Sequence, residues 1–354
     1  MSSNPEAGNS SEPSIAPMPP KPTVSADELL PPVEPPSAGF IVQLFVVPAI
    51  IVLAVVLLWL LVTTLATQGN QDPTKIVAAL RGSNQARWQK AEELANMLRL
   101  EQRYPELKHN HDLAAQLAGL LEEEVEAGLD DKNSISLRYY LCRVLGEFYV
   151  DDGLEVLLNT AREDKERDVR REAINAIAVL SNARANLEPP EGLDHSDLVE
   201  DFTKLANDQD DLIRSQTAFA LGVMTTTPDA DPLLLVELEK LADDLYSDTR
   251  YNAALGLARQ GNLKAVEAVT EMFDPEALEI NVANEKTPAL QAYKRDTILK
   301  NAIEASRQLI EKNPAFDWSQ LRTAIKNFTD EGAKWQPKPA PDSLLERAEK
   351  LLAE

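Results

Sequence analysis

Hydrophobic and polar positions divide the chain into three regions of different character. Residues 1–39 are rich in Pro, Ser, Glu and Ala, whereas residues 40–66 are almost uniformly apolar. No charged residue occurs between Glu34 and Asp72. From residue 67 onward, apolar residues recur every three or four positions, which is the pattern of amphipathic helices. The sequence therefore predicts a polar tail, one apolar helix and a helical domain.

The tail, residues 1–39, is predicted to be disordered and partly polyproline II. It holds ten of the 23 prolines, in runs such as Pro31-Pro32-Val33-Glu34-Pro35-Pro36, and such a composition does not build a packed core. An extended spacer is the simpler interpretation of this tail. A ligand for an SH3-like groove is the alternative.

Residues 40–66 are predicted to form one transmembrane helix. A bilayer core of about 30 Å needs roughly 20 helical residues, and this segment supplies 27. Pro48 lies near its N-terminal end, where a lost backbone hydrogen bond is tolerated. A cleaved signal peptide fits poorly, because the preceding tail is acidic and the apolar run is longer than that of a signal peptide.

Positive charges near the helix ends predict the orientation of a single-pass membrane protein. Lys75, Arg81 and Arg87 follow the apolar segment, whereas only Lys21 precedes it. Under the positive-inside rule, the C-terminal domain is expected in the cytoplasm and the N-terminal tail outside.

A repeated segment indicates the architecture of the helical domain. The following three segments align without gaps: DVRREAINAIAVL (168–180), LIRSQTAFALGVM (212–224) and DTRYNAALGLARQ (248–260). SLRYYLCRVLGEF (136–148) fits the same frame, and residues 86–98 and 294–306 are weaker copies. Because a second helical pattern lies between successive copies, we predict an all-α fold. It is an α-solenoid of about five to six helix pairs over residues 67–330.

The pattern Asp-x-x-Arg or Asp-x-Arg followed by Ala-x-x-Ala-Leu-Gly resembles HEAT repeats, particularly the short subtype also found in phycobilisome-lyase-like proteins. The resemblance covers about residues 72–310. It implies a curved stack of helix pairs that binds proteins along its concave face. The apolar anchor followed by this stack is also similar to the layout of bacterial HEAT-repeat membrane proteins.

The repeated charged residues are expected to be structural, by resemblance to the Asp/Arg ladder of HEAT stacks, with ligand binding as the alternative. Each arginine would tie one helix start to the neighbouring repeat. The positions are Arg138, Arg170, Arg214, Arg250, Asp168, Asp211 and Asp248. Small residues such as Ala218 and Gly222 would let neighbouring helices approach closely. Cys142 takes a slot that holds Ala or Ile in other copies, so it is predicted to be a buried small hydrophobe. Glu237 is expected on a solvent face.

Composition and charge narrow the range of functions. A single cysteine excludes an intramolecular disulfide and a Cys-based zinc site, and three histidines leave little for a His-rich metal centre. No Gly-rich phosphate loop, Gly-x-Ser-x-Gly or His-Glu-x-x-His occurs, so no catalytic, cofactor or metal site is predicted. The net charge is −23, of which residues 67–354 carry −19, which argues against nucleic-acid binding. The acidic runs 122–124 and 208–211 are interpreted as solvated faces and helix starts.

These observations predict a membrane-anchored scaffold or adaptor, not an enzyme, whose protein partners have basic or mixed surfaces. An enzyme or enzyme subunit of the phycobilisome-lyase-like class is the alternative, and a tethering component of a larger envelope machine is a third possibility. Residues 331–341 are predicted to be a linker. Residues 342–354 are predicted to be an amphipathic helix that caps the solenoid or binds a partner.

Overall fold

The computed structural model describes residues 37–68, 73–82, 86–100, 104–227, 229–332 and 342–353. The chain divides into two units, Met1–Gln68 and Gly69–Glu354. Within the described ranges all regular secondary structure is helical, and no strand occurs. The predicted tail up to residue 36 and most of the predicted linker, residues 333–341, lie outside the described residues.

The described part of the first unit, residues 37–68, is a nearly continuous apolar helix. It comprises α1 (Ala38–Ile41), a π-helical turn (Val42–Val46) and α2 (Val47–Gln68), so it extends two residues beyond each predicted end. The π turn ends two residues before Pro48, whose ring nitrogen has no hydrogen to donate, and such turns accommodate the lost bond. The segment Val42–Val62 is long and apolar enough to cross a membrane.

The described residues of the second unit form helices of 6 to 25 residues. Their bounds are α3 (Pro73–Leu80), α4 (Arg87–Arg99), α5 (His111–Ala127), α6 (Lys132–Gly146), α7 (Leu154–Glu163), α8 (Arg167–Ala185), α9 (Leu198–Ala206), α10 (Asp211–Met224), α11 (Pro232–Leu241), α12 (Ser247–Gln260), α13 (Val266–Glu271), α14 (Pro275–Val282), α15 (Pro288–Lys312), α16 (Ser319–Glu331) and α17 (Asp342–Ala353). A 3₁₀ turn, Leu263–Ala265, precedes α13.

These helices form two layers. In the first layer α3, α5, α7, α9 and α11 each pack on the next, and α13 packs on α16. In the second layer the order is α4, α6, α8, α10, α12, α15 and α17, each packed on the next. Every second-layer helix from α4 to α12 follows its first-layer partner directly in the chain, and α14 is an extra helix packed on α15. This is an all-helical repeat stack, so the predicted α-solenoid class is confirmed.

Amphipathic periodicity and local caps explain why these segments are helical. On α8 the residues expected to face inward, Val169, Ala173, Ala176, Ile177 and Leu180, are all buried. The side chain of Asp231 accepts a hydrogen bond from the backbone N–H of Leu233, and Thr287 accepts one from Leu290. In both cases a proline follows the cap, where its missing donor costs nothing.

Second-layer helices approach one another closely where small residues meet. A Cβ atom added to Gly146 would lie 2.8 Å from the Cα of Ala176, and one added to Gly256 would lie 2.4 Å from the Cα of Gly222. Gly146 and Gly222 both stand eight residues after their repeat arginine, and Ala176 and Gly256 six residues after theirs. The repeat therefore encodes a fixed register between neighbouring helices.

The C-terminal helix packs on the end of the stack. Helix α17 contacts α15 and α16, with Leu344, Ala348 and Leu351 buried. The Arg322 guanidinium of α16 donates to the carbonyl oxygen of Leu352 at 3.2 Å. The apolar face of α17 is thus covered by α15 and α16 of the solenoid.

The expectation for Glu237 was wrong. This residue of α11 is only 6% exposed, because α9, α10 and α12 all pack around the helix. Its Oε1 accepts a hydrogen bond from Lys240. The apolar residues beside it, Leu234, Leu238 and Leu241, form a wide buried face that includes position 237.

Candidate interaction surfaces

Each repeat arginine joins the C-terminal ends of two successive first-layer helices. The Arg214 Nη1 donates to the carbonyl oxygen of Asp208 at 2.9 Å, in the turn before its own helix. Its Nε and Nη2 donate to the carboxylate of Asp244, in the next repeat, at 2.7 and 3.0 Å. Arg250 in turn donates to the carbonyl oxygen of Asp244 at 2.6 Å and to Glu271 of the following repeat. Asp244 is therefore bound by two arginines. Its carboxylate accepts from Arg214, and its backbone carbonyl accepts from Arg250.

This arrangement, which we call the arginine ladder, extends through the repeats. Its ion pairs are Arg87–Glu124, Arg138–Asp164, Arg170–Asp208, Arg214–Asp244 and Arg250–Glu271. Each pair links a second-layer helix to the end of the first-layer helix of the next repeat. The pattern changes at Arg295, which pairs with Glu279 of α14 instead.

The ladder acids also shape the turns in which they lie. Asp164, Asp208 and Asp244 each accept a hydrogen bond at 2.8 Å from the backbone N–H two residues later. Such a turn ends one helix and directs the chain into the next. Burial alone would raise the pKa of Asp244. The hydrogen bonds from Arg214 and from the Tyr246 backbone outweigh this effect, so the pKa lies below its usual value. The same ion pair raises the pKa of Arg214.

The aspartates named from the sequence lie elsewhere. Asp168 is exposed, 3.7 Å from Arg171 on its own helix. The backbone carbonyl of Asp211 accepts from the Thr249 hydroxyl. Asp248 does contact the next repeat, but through Asn281 and Lys294. The ladder arginines thus join neighbouring repeats through acids that the repeat pattern did not single out.

The single thiol is buried inside the second layer. Cys142 is fully buried on α6, and burial raises its pKa well above the usual value, so the thiol stays protonated. Among the described residues no group of three or more His, Cys, Asp or Glu side chains is placed to hold a metal ion.

A groove of about 430 Å³ crosses the first layer over α5, α7 and α9. We call it the acidic groove. Its walls combine small residues of α5 with longer polar residues of α7 and of the segment around α9. The lining residues are Ala115, Ala118, Gly119, Glu122, Asp152, Glu155, Val156, Leu158, Asn159, Arg162, His195, Asp197 and Asp201.

Carboxylates dominate the charge of the acidic groove. Five of its lining residues are acidic, and its one arginine, Arg162, is bound to Asp201 at 2.6 Å. Glu122 and Glu155 are exposed and form no ion pair with any described residue. Their negative charge is therefore available to a ligand.

The acidic run 122–124 is not a uniform solvated face. Glu122 lines the groove, whereas Glu123 pairs with Arg81 and Glu124 with Arg87 of the ladder. The groove is not visible in the sequence because its residues come from three repeats, separated by thirty or more positions. Only the packing of α5, α7 and α9 brings them together.

Comparisons with known proteins add little to this geometry. No protein-family model matches the chain, and no curated protein matches it significantly. Among solved structures, the X-ray structure of YibA from Escherichia coli is similar at 14% sequence identity and a TM-score of 0.39, over 82% of this chain and 96% of that one. The fold assignment rests on the helix packing described above.

Proposed function

We propose that this protein is a membrane-anchored helical-repeat scaffold that binds a basic segment of a partner protein in the acidic groove. The observation that carries the proposal is the groove itself. It presents exposed, unpaired carboxylates at Glu122 and Glu155 on helices whose positions are fixed by the arginine ladder. Side chains held on rigid helices bind a ligand with less loss of conformational entropy than side chains on loops.

The size of the groove suits a short extended segment. Neighbouring packed helices lie about 8–10 Å apart, so a groove over three helices spans about 20 Å. Roughly six residues of extended chain cover that distance. Lysine or arginine side chains of such a segment would lie near Glu122 on α5, Glu155 on α7 and Asp197 beside α9.

The finer family assignment is also part of the proposal. The Asp-x-Arg and Ala-x-x-Ala-Leu-Gly patterns, together with the two-layer stack and the ladder, support a HEAT-type repeat. In this proposal the segment 40–66 spans a membrane, the C-terminal domain is cytoplasmic, and the protein acts by binding and not by catalysis.

Affinity purification of the full-length protein in detergent, followed by mass spectrometry, tests this function. The groove variant Glu122→Lys/Glu155→Lys should lose the partner that the wild type retains at low salt. The control Glu346→Lys/Glu349→Lys makes the same change in net charge on exposed positions of α17 and should keep the partner. Recovery of nucleic acid, or of a small molecule with no protein partner, would contradict the scaffold and favour the enzyme alternative.

A further inference from the structure

A second depression, of about 360 Å³, lies on the other layer of the solenoid. We call it the second-layer pocket. It is formed by α8, α10 and α12, and it does not share any residue with the acidic groove. Its lining residues are Ala178, Val179, Asn182, Phe219, Val223, Thr226 and Arg259.

The apolar wall of this pocket departs from the repeat pattern. Five residues after the repeat arginine, α10 carries Phe219, where α6 carries Arg143, α8 carries Asn175 and α12 carries Leu255, so an aromatic side chain at this position is particular to α10. Phe219 is 37% exposed, although a large aromatic side chain gains most from burial. Helix packing within the stack does not account for an exposed phenylalanine here, because the buried side of α10 is already filled by small and aliphatic residues.

Arg259, at the rim, has an unusual electrostatic environment for this acidic molecule. Whereas each ladder arginine binds a carboxylate, the only hydrogen bond of the Arg259 guanidinium is to the carbonyl oxygen of Gly222 at 3.4 Å, among the described residues. Partial burial of the guanidinium lowers the pKa of Arg259. This rim is therefore locally positive on a chain of net charge −23.

An apolar wall beside an unpaired cation specifies a ligand with both an apolar and an anionic group. We propose that the second-layer pocket binds a short segment of a partner protein in which a large apolar residue lies within one or two positions of Asp or Glu. The apolar side chain would pack on Phe219 and Val223, and the carboxylate would pair with Arg259. The volume is at the lower end of ligand pockets, about 300–1,000 Å³, and suits one or two side chains. A basic segment would be repelled by Arg259, so this pocket and the acidic groove select opposite charges.

Selection of random peptides displayed on phage tests the proposal directly. The bait is the full-length protein in lipid nanodiscs, with an excess of the soluble competitor variant Phe219→Ala in nanodiscs to remove peptides that bind elsewhere. We expect the enriched peptides to carry a large apolar residue next to Asp or Glu. Their synthetic versions should bind about tenfold more weakly to Phe219→Ala and to Arg259→Gln. Both positions are on the surface, so an unchanged melting temperature will show that the variants are folded.

A charge exchange makes the result specific. Arg259→Glu should abolish binding of the selected peptides and restore binding of versions in which the acidic residue is replaced by lysine. Arg307→Gln, which removes an exposed arginine of α15 outside the pocket, should leave binding unchanged. If no peptide is enriched, if the enriched peptides are basic, or if binding is insensitive to Arg259, the proposal is wrong.

Discussion

At the scale of single residues, the arginine ladder determines how one repeat is held to the next. The pair Arg138–Asp164 is its most buried member, with 1% and 2% of the side chains exposed and 2.7 Å between Nε and Oδ2. Burial of two charges costs a large desolvation free energy, so this ion pair adds little stability compared with a well-packed apolar pair. Removal of one partner is different, because it leaves the other charge buried and uncompensated.

The ladder predicts unequal effects for two neighbouring aspartates. Asp164→Ala should destabilise the protein by about 3–5 kcal/mol, because it strands the buried Arg138 guanidinium. Asp168→Ala, only four positions away but exposed, should stay within about 0.5 kcal/mol of wild type. Thermal unfolding of the full-length protein in detergent, followed by circular dichroism, measures both. Equal effects at the two sites would show that the ladder does not join the repeats.

A buried carboxyl on α8 predicts a pH effect. Burial raises the pKa of Glu172, although hydrogen bonds to Tyr139 and Asn175 and the charge of Arg143 partly offset this. A carboxyl whose pKa is higher in the folded state binds its proton more tightly there, so folding stability rises as the pH falls through that value. Glu172→Gln should therefore raise the melting temperature at pH 7 and lose this advantage in acid. The exposed control Glu163→Gln should change neither, and a lower melting temperature for Glu172→Gln at pH 7 would contradict the assignment.

Which charged residues join the repeats was only partly predictable from the sequence. The arginines recur at one position of a helical pattern, which makes them visible. Their acids lie 21–38 positions later, in turns separated by loops of unequal length, so Asp164 could not be told from Asp168. The solvent exposure of Glu237 was predicted wrongly for a related reason. The width of the buried face of α11 depends on how many helices pack around it.

At the scale of elements, the contact between neighbouring second-layer helices controls the stack. Gly222 and Gly256 meet at a distance that leaves no room for a side chain. Ala178 and Ala220 occupy the equivalent positions on α8 and α10 and are both buried. The short helices thus gain their stability by packing on their neighbours and not from their own length.

Two glycine substitutions test this contact. Gly256→Ala should destabilise the protein by about 1–3 kcal/mol, because its Cβ would lie 2.4 Å from the Cα of Gly222. Gly119→Ala on α5 has no neighbouring atom within 4 Å and should stabilise by up to about 1 kcal/mol, the helix preference of alanine over glycine. Urea unfolding of the full-length variants gives both values. A stabilising effect of Gly256→Ala would mean that α10 and α12 lie further apart.

The helix pairs themselves were predictable, whereas the irregular elements were not. Apolar periodicity locates α8, α10 and α12 because their buried stripes are regular. The extra helix α14 lies in a long interval between two copies, where no repeat pattern constrains the chain. The π turn before Pro48 depends on local hydrogen bonding, which periodicity does not record.

At the scale of the whole molecule, negative and positive surface charges lie on different layers of the solenoid. The acidic groove presents free carboxylates on the first layer, whereas the rim at Arg259 is positive on the second. Association through charged surfaces is fast and weakens with salt, because the Debye length falls from about 10 Å at 0.1 M to about 3 Å at 1 M. Binding to duplex DNA or RNA should be negligible near physiological salt.

The positive charges after the apolar segment predict the orientation of the proposed membrane span. Protease added to intact cells should spare residues 72–354 and remove an epitope tag fused to the N-terminus. After the cells are broken, both should be digested. Digestion of the C-terminal domain in unbroken cells would show that the orientation is opposite to the predicted one.

The central claim, that the acidic groove binds basic segments, is tested most directly with a fluorescently labelled lysine-rich peptide. Its anisotropy is measured on full-length protein in nanodiscs for the wild type, the groove variant Glu122→Lys/Glu155→Lys and the equally charged control Glu346→Lys/Glu349→Lys. We predict that binding weakens with salt, falls at least about tenfold in the groove variant, or about 1.4 kcal/mol, and is nearly unchanged in the control. Equal losses in both variants, or no binding to the wild type at low salt, would contradict the account.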